Sequence, residues 1–184
     1  MSAIDLLGAT LSLICTYLFV IENPKAWGMS AIAIPIDGFV YYQNALYGDM
    51  FLQVIYLSMT IYGYRQWRSG DLKTNQTLSV STLNVKQHLS ALGVCLIGVL
   101  CLNPLLNPFN HAHIALLDSI TTVFSLYAQW LLCKKKIETW VVWFVVDGLY
   151  AYLYLSKGLP FHGGMALIYL MMAIGGFLRW RKQL

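Results

Sequence analysis

Charge is what this chain has least of. Only 11% of its 184 residues are Asp, Glu, Lys or Arg, against about a quarter in an ordinary soluble domain. The charges cluster, and uncharged apolar runs lie between them. That distribution excludes a sizeable soluble domain and points to a polytopic membrane protein. Catalytic signatures are missing as well: no P-loop, HExxH, GxSxG or Rossmann fingerprint occurs. The chain therefore reads as a non-enzyme without machinery for ATP hydrolysis. The four cysteines, Cys15, Cys95, Cys101 and Cys133, fall in apolar segments without CxxC spacing, which reads as buried packing rather than redox or metal chemistry. His111 and His113 form "HAH" with no Cys or carboxylate at ligand spacing, the pattern of a solvated loop. The sequence calls for no cofactor, no metal and no nucleic-acid partner.

What is present is hydrocarbon-compatible sequence in seven pieces, roughly Ala3–Ile21, Gly28–Leu46, Met50–Trp67, Leu89–Leu106, Ala112–Cys133, Thr139–Ser156 and Gly163–Trp180. Each is about 20 residues, as some 30 Å of bilayer core requires. The first lacks a basic lead-in and a cleavage site, so it reads as a retained helix rather than a signal peptide. The breakers are "ENPK", "YGD", "RSGDLKTNQ", "NPLLNPFN", "KKKIE" and "SKGLPFHGG". The longest connection, from Arg68 to Gln87, is polar and reads as the one flexible linker. With seven spans, 11 of the 12 Lys and Arg fall on one side, and Lys157 is alone on the other. The positive-inside rule then sets the N-terminus outside and the C-terminus in the cytoplasm.

A repeat is also visible. "YLSMTIYGYRQW" (Tyr56–Trp67) and "YLMMAIGGFLRW" (Tyr169–Trp180) agree at six of twelve positions, and "IDGFVYY" (Ile36–Tyr42) echoes "VDGLYAY" (Val146–Tyr152). The expected fold is all-α within one transmembrane domain, residues 1–184. It comprises repeat 1 (about 3–67), a linker helix (about 88–106) and repeat 2 (about 112–181). Three spans per repeat with one helix between makes the repeats parallel, an architecture of carriers that hold substrate between the halves.

Candidate site residues follow from helical geometry. At 100° per residue, Trp140, Trp143, Asp147, Tyr150 and Tyr154 share an arc of about 80°. In the second span Trp27, Ser30, Asp37, Tyr41 and Asn44 fall on one side. Aromatic faces attract cations, and a carboxylate supplies the counter-charge, so two such faces suit a flat, cationic molecule. An ionisable residue within a span marks function by default; the lesser alternative for Asp147 is a bond to a neighbouring helix. Asp37, Asp118, Gln53 and Gln129 divide evenly between site and helix-to-helix hydrogen bonding. Trp140 follows "KKKIET" and is also open to an interfacial role. Trp67 and Trp180, each beside basic residues, read as interfacial anchors.

The stretch "ETWVVWFVVDGLY" resembles the WxxWxxx(N/D)xxY motif of the PnuC-type vitamin transporters. Length, span number, the 3+1+3 repeat, "SLYAQWLLCKKKIETW" and the "YGYRQW" ending of the third span fit that family over nearly the whole chain. The resemblance implies a relative of the SWEET and SemiSWEET fold, a homotrimer in the inner membrane of a bacterium, and facilitated diffusion of a vitamin trapped inside by later phosphorylation. Asp rather than Asn at the motif's last polar position implies the thiamine (PnuT) branch. In that branch Asp147 faces the thiazolium or the aminopyrimidine while Trp140 and Trp143 stack the rings. Charge alone admits nicotinamide riboside equally. A vitamin-binding sensor or importer subunit is the competing class.

Overall fold

The hydrophobic runs all become helices. The computed structural model describes residues 3–43, 47–69, 78–106, 112–156, 158 and 160–184. Among them seven α-helices follow in order: α1 (Ala3–Val20), α2 (Lys25–Gln43), α3 (Tyr47–Ser69), α4 (Val85–Leu106), α5 (Ala112–Cys133), α6 (Glu138–Ser156) and α7 (Pro160–Arg181). Four of these, α4 to α7, are long and apolar enough to cross a membrane; the apolar stretch of α1, Leu6–Val20, is shorter. Helices α2 and α3 are diluted by Lys25, Asp37, Gln53, Arg65 and Arg68. The large apolar side chains exposed along α4, among them Leu89, Val94, Ile97 and Leu100, suit a lipid environment, because with no water present a helix satisfies its own backbone.

Most helices pack on their neighbours in sequence; α3 instead passes over α4 to lie against α5, and α1 lies against α7. α4 touches only α5.

The connections α1–α2 and α5–α6 are built alike. In the first, Asn23 N–H donates to Leu18 O (2.8 Å) and Glu22 N–H to Phe19 O (3.0 Å). In the second, Lys136 N–H donates to Leu131 O (3.0 Å) and Lys135 N–H to Leu132 O (3.1 Å). Both are Schellman motifs, whose turning residue is usually glycine. Here Glu22 (φ 56°) and Lys135 (φ 49°) occupy the left-handed conformation instead. These two residues meet: Lys135 Nζ lies 3.2 Å from Glu22 Oε2, and also stands over the Trp67 ring, 4.6 Å from its centroid.

Beneath this pair sits an aromatic cluster. Trp27 packs edge-on to Trp67 (centroids 5.4 Å, 87°), and Trp140 edge-on to Trp180 (5.3 Å, 87°). The two pairs join through Trp67 and Trp180 (6.2 Å). Gly63 and Gly176 make the fit possible, since a Cβ on either would overlap the indole of Trp27 or Trp140.

Three expectations are corrected. Trp67 and Trp180 are not interfacial anchors. They are 5% and 0% exposed, and their Nε1–H groups donate to Leu132 O (3.0 Å) and Val20 O (3.2 Å) respectively. The α3–α4 connection is not a free linker throughout. Ser81 N–H donates to Lys135 O (3.1 Å) and Ile137 N–H to Ser81 O (3.0 Å), Leu83 N–H donates to Glu138 Oε1 (2.7 Å), and Val80 and Leu83 are buried. Residues 78–84 therefore form a strap pinned to the α5–α6 turn, and an Asn84–Gln87 capping box (2.9 Å in each direction) starts α4 from it. Finally, Cys15, Cys95 and Cys133 are buried, but Cys101 is exposed.

Candidate functional site

Helix α6 carries its predicted face. Trp140 is 3% exposed and closed in by Trp180 and Gly176; its Nε1–H finds no acceptor, and neither does that of Trp27. Trp143, nearly one turn further along, is half-buried and packs on the edge of the same cluster. Asp147 follows, 8% exposed, with no hydrogen-bond donor to its carboxyl among the described residues. Past it, Tyr150 and Tyr154 stack on one another (5.7 Å, 12°), and Tyr154 lies against His162 (5.5 Å). The face thus grades from a closed aromatic end, through one half-open indole, to a buried carboxyl and a pair of phenols.

Asp37 occupies the corresponding Asp-Gly of α2. Its Oδ2 accepts from Ser12 Oγ on α1 at 3.2 Å. Gly8 lets the two helices close on it, because a Cβ there would stand 2.6 Å from Asp37 Oδ1. Tyr169 of α7 lies between the two carboxyls, close to Ser12, Asp37 and Asp147. Ser30 and Cys15 are buried beside one another near Asp37. Four helices, α1, α2, α6 and α7, therefore contribute to one polar layer.

Other predicted residues scatter more. Trp27 belongs to the aromatic cluster rather than to the polar layer. Gln53 of α3 packs its side chain on Gly38, beside Asp37. Gln129 is buried and Asp118 half-buried on α5, which packs against α3, α4 and α6 rather than against the α1 and α7 that carry Ser12 and Tyr169. The side chain of Tyr41, and Asn44, Lys157 and His111, lie outside the described residues.

Sequence reasoning missed Ser12 and Tyr169. Ser12 carries no signal in an apolar run. Tyr169 did: it opens the twelve-residue stretch that matches Tyr56–Trp67, but a tyrosine at helical spacing reads first as packing.

Comparison with known proteins identifies this layout. A model of the nicotinamide mononucleotide transporter family matches residues 2–182. The chain belongs to that family. Among its members, the nicotinamide riboside transporter PnuC of Escherichia coli (strain K12) is 21% identical over 204 residues, covering 98% of this chain and 85% of the relative. The nicotinamide riboside transporter PnuC of Neisseria mucosa is 27% identical over 163 residues, covering 82% of this chain and 61% of the relative. A crystal structure of the vitamin B3 transporter PnuC superposes with a TM-score of 0.76 at 25% identity, covering 96% of this chain and 79% of that one. The chain is therefore a membrane transporter of the PnuC family, and the thiamine assignment finds no relative among these matches.

Proposed function

We propose that this PnuC-family transporter carries a flat, cationic vitamin by facilitated diffusion, and that the vitamin is nicotinamide riboside. The observation that carries the reading is Asp147: buried, without a hydrogen-bond donor among the described residues, and one turn from the half-open ring of Trp143. A desolvated carboxyl without a partner is costly, and a pyridinium cation stacked on Trp143 supplies the missing counter-charge. Tyr150 continues the α6 face. Asp37, Gln53, Asp118 and Gln129 furnish hydrogen bonds to the ribose and carboxamide. Trp140 backs Trp143 rather than stacking substrate itself.

Thiamine is the second reading, and one observation favours it: the motif's last polar residue is Asp and not Asn. Two further elements complete the proposal. The halves, α1–α3 and α5–α7, are parallel repeats linked by α4, a view supported by the matched turns and Trp–Gly–Trp sets and by the reciprocal α1–α7 and α3–α5 contacts. The basic ends of the helices face the cytoplasm of a bacterium, where phosphorylation traps the product, and the protein works as a homotrimer in the inner membrane.

The test is titration of nicotinamide riboside and thiamine into purified protein, followed by uptake into liposomes containing this protein alone. Tighter nicotinamide riboside binding with equilibrating uptake is expected. Tighter thiamine binding selects the second reading. Binding without uptake makes the chain a capture subunit, and accumulation driven by a proton or sodium gradient overturns the passive mechanism.

A further inference from the structure

Arg179 and Lys182 take no part in the closed aromatic end, although Trp180 between them is its innermost ring. They lie on the opposite side of α7. Gly175, Leu178, Arg179 and Lys182 follow at helical spacing, i, i+3, i+4 and i+7, and so line one face. Opposite them on α1 stand Tyr17, Val20 and Ile21, again i, i+3 and i+4. Between the two faces runs an open groove of about 500 Å³, with Gln183 at its end. Its floor is Gly175, where an added Cβ would meet no heavy atom within 4 Å. Its walls are apolar and exposed, with Tyr17 at 57% and Leu178 at 54%. Its two cations are exposed at the rim.

Among the described residues neither cation forms an ion pair with a carboxylate. The described acidic side chains at this end are Glu22 and Glu138. Glu22 is held by Lys135 at 3.2 Å and also contacts Gln183, and Glu138 lies 3.5 Å from His88. The groove is thus apolar along its length and doubly positive at its mouth, where the helices end. That is the complement of one kind of molecule, an anionic head attached to a hydrocarbon chain.

We propose that the α1–α7 groove is a binding site for an anionic phospholipid, its phosphodiester between Arg179 and Lys182 and an acyl chain laid over Gly175 against Tyr17, Val20 and Leu178. The site is independent of which vitamin is carried. It needs only that α1 and α7 cross a bilayer.

Native mass spectrometry tests this on the full chain, released from detergent after exposure to an equimolar mixture of phosphatidylglycerol and phosphatidylcholine with the same acyl chains. Wild-type protein should retain phosphatidylglycerol preferentially. At about 1 kcal/mol per basic residue near the headgroup, R179Q/K182Q should lose roughly twentyfold in that preference, whereas R65Q/K86Q, exposed basic residues outside the groove, should lose none. Gly175→Leu fills the floor without touching the charges and should also reduce retention, with melting curves confirming a folded protein. Equal retention by wild type and R179Q/K182Q overturns the proposal. So does displacement by inorganic phosphate, or equal binding of glycerophosphoglycerol without acyl chains, because either makes this a free-phosphate site rather than a lipid site.

Discussion

The two halves of the molecule agree at one end and part company in the middle. At the basic end the correspondence is nearly residue for residue: Glu22 with Lys135, Trp27 with Trp140, Gly63 with Gly176, Trp67 with Trp180. Even the two edge-on ring contacts match, at 5.4 and 5.3 Å. In the polar layer the paired aspartates are treated differently. Asp37 accepts a hydrogen bond from Ser12, while Asp147 is more deeply buried and has none from the described residues. What the halves share therefore builds the closure between them, and what they do not share lies at the proposed vitamin site.

The sharpest way to break this comparison is at the shared end. Trp67→Ala and Trp180→Ala each empty a buried aromatic site and remove a donor to the other half. Each should cost about 3–5 kcal/mol of stability, read as a fall in melting temperature of similar size for both. Unequal losses would mean that the correspondence is one of shape only. Gly63→Leu and Gly176→Leu come next, at roughly 1–3 kcal/mol from overpacking against an indole, again with matched melting shifts.

The polar layer should respond asymmetrically. Asp147→Asn keeps the volume but removes the charge, and should weaken vitamin binding by roughly 1.5–3 kcal/mol, the scale of a hydrogen bond to a charged group. Asp37→Asn should cost about half as much, because Ser12 already satisfies that carboxyl. Trp143→Ala should lose on the order of 1–2 kcal/mol of affinity with a smaller melting shift than Trp67→Ala. Calorimetric titrations beside melting curves separate the two kinds of loss. Smallest is the Glu22–Lys135 pair: a double-mutant cycle with glutamine at both positions should give a coupling near 1 kcal/mol, at the upper end for ion pairs with some solvent contact.

Much of this arrangement was legible in the sequence. Long apolar runs between Pro, Gly and charged breakers located all seven helices, in most cases within a few residues, because length and hydrophobicity are local properties. The face from Trp140 to Tyr154 was legible because helical periodicity is local too. The fate of Trp67 and Trp180 was not. A tryptophan beside arginine looks interfacial until α1 is known to lie on α7 and α3 on α5, and only then does each indole have a carbonyl within reach. The strap at 78–84 was hidden for the same reason. "LSVSTLN" is a polar loop by composition, and its order comes from a strand-like bridge to Lys136 and the Leu83–Glu138 hydrogen bond, both made with the distant α5–α6 turn.

The indole bonds of Trp67 and Trp180 run crosswise, so each half finishes the helix end of the other: Trp67 reaches Leu132 at the close of α5, and Trp180 reaches Val20 at the close of α1. Neither bond can be kept while the other is broken by a simple parting of the halves. If vitamin is to leave at this end, both N–H donors, the Glu22–Lys135 pair and the ring contacts must let go in one event. Release there is then an all-or-none step rather than a gradual widening. Its barrier is set by residues that never touch the cargo, and turnover can be tuned from the helix ends without altering what is recognised within.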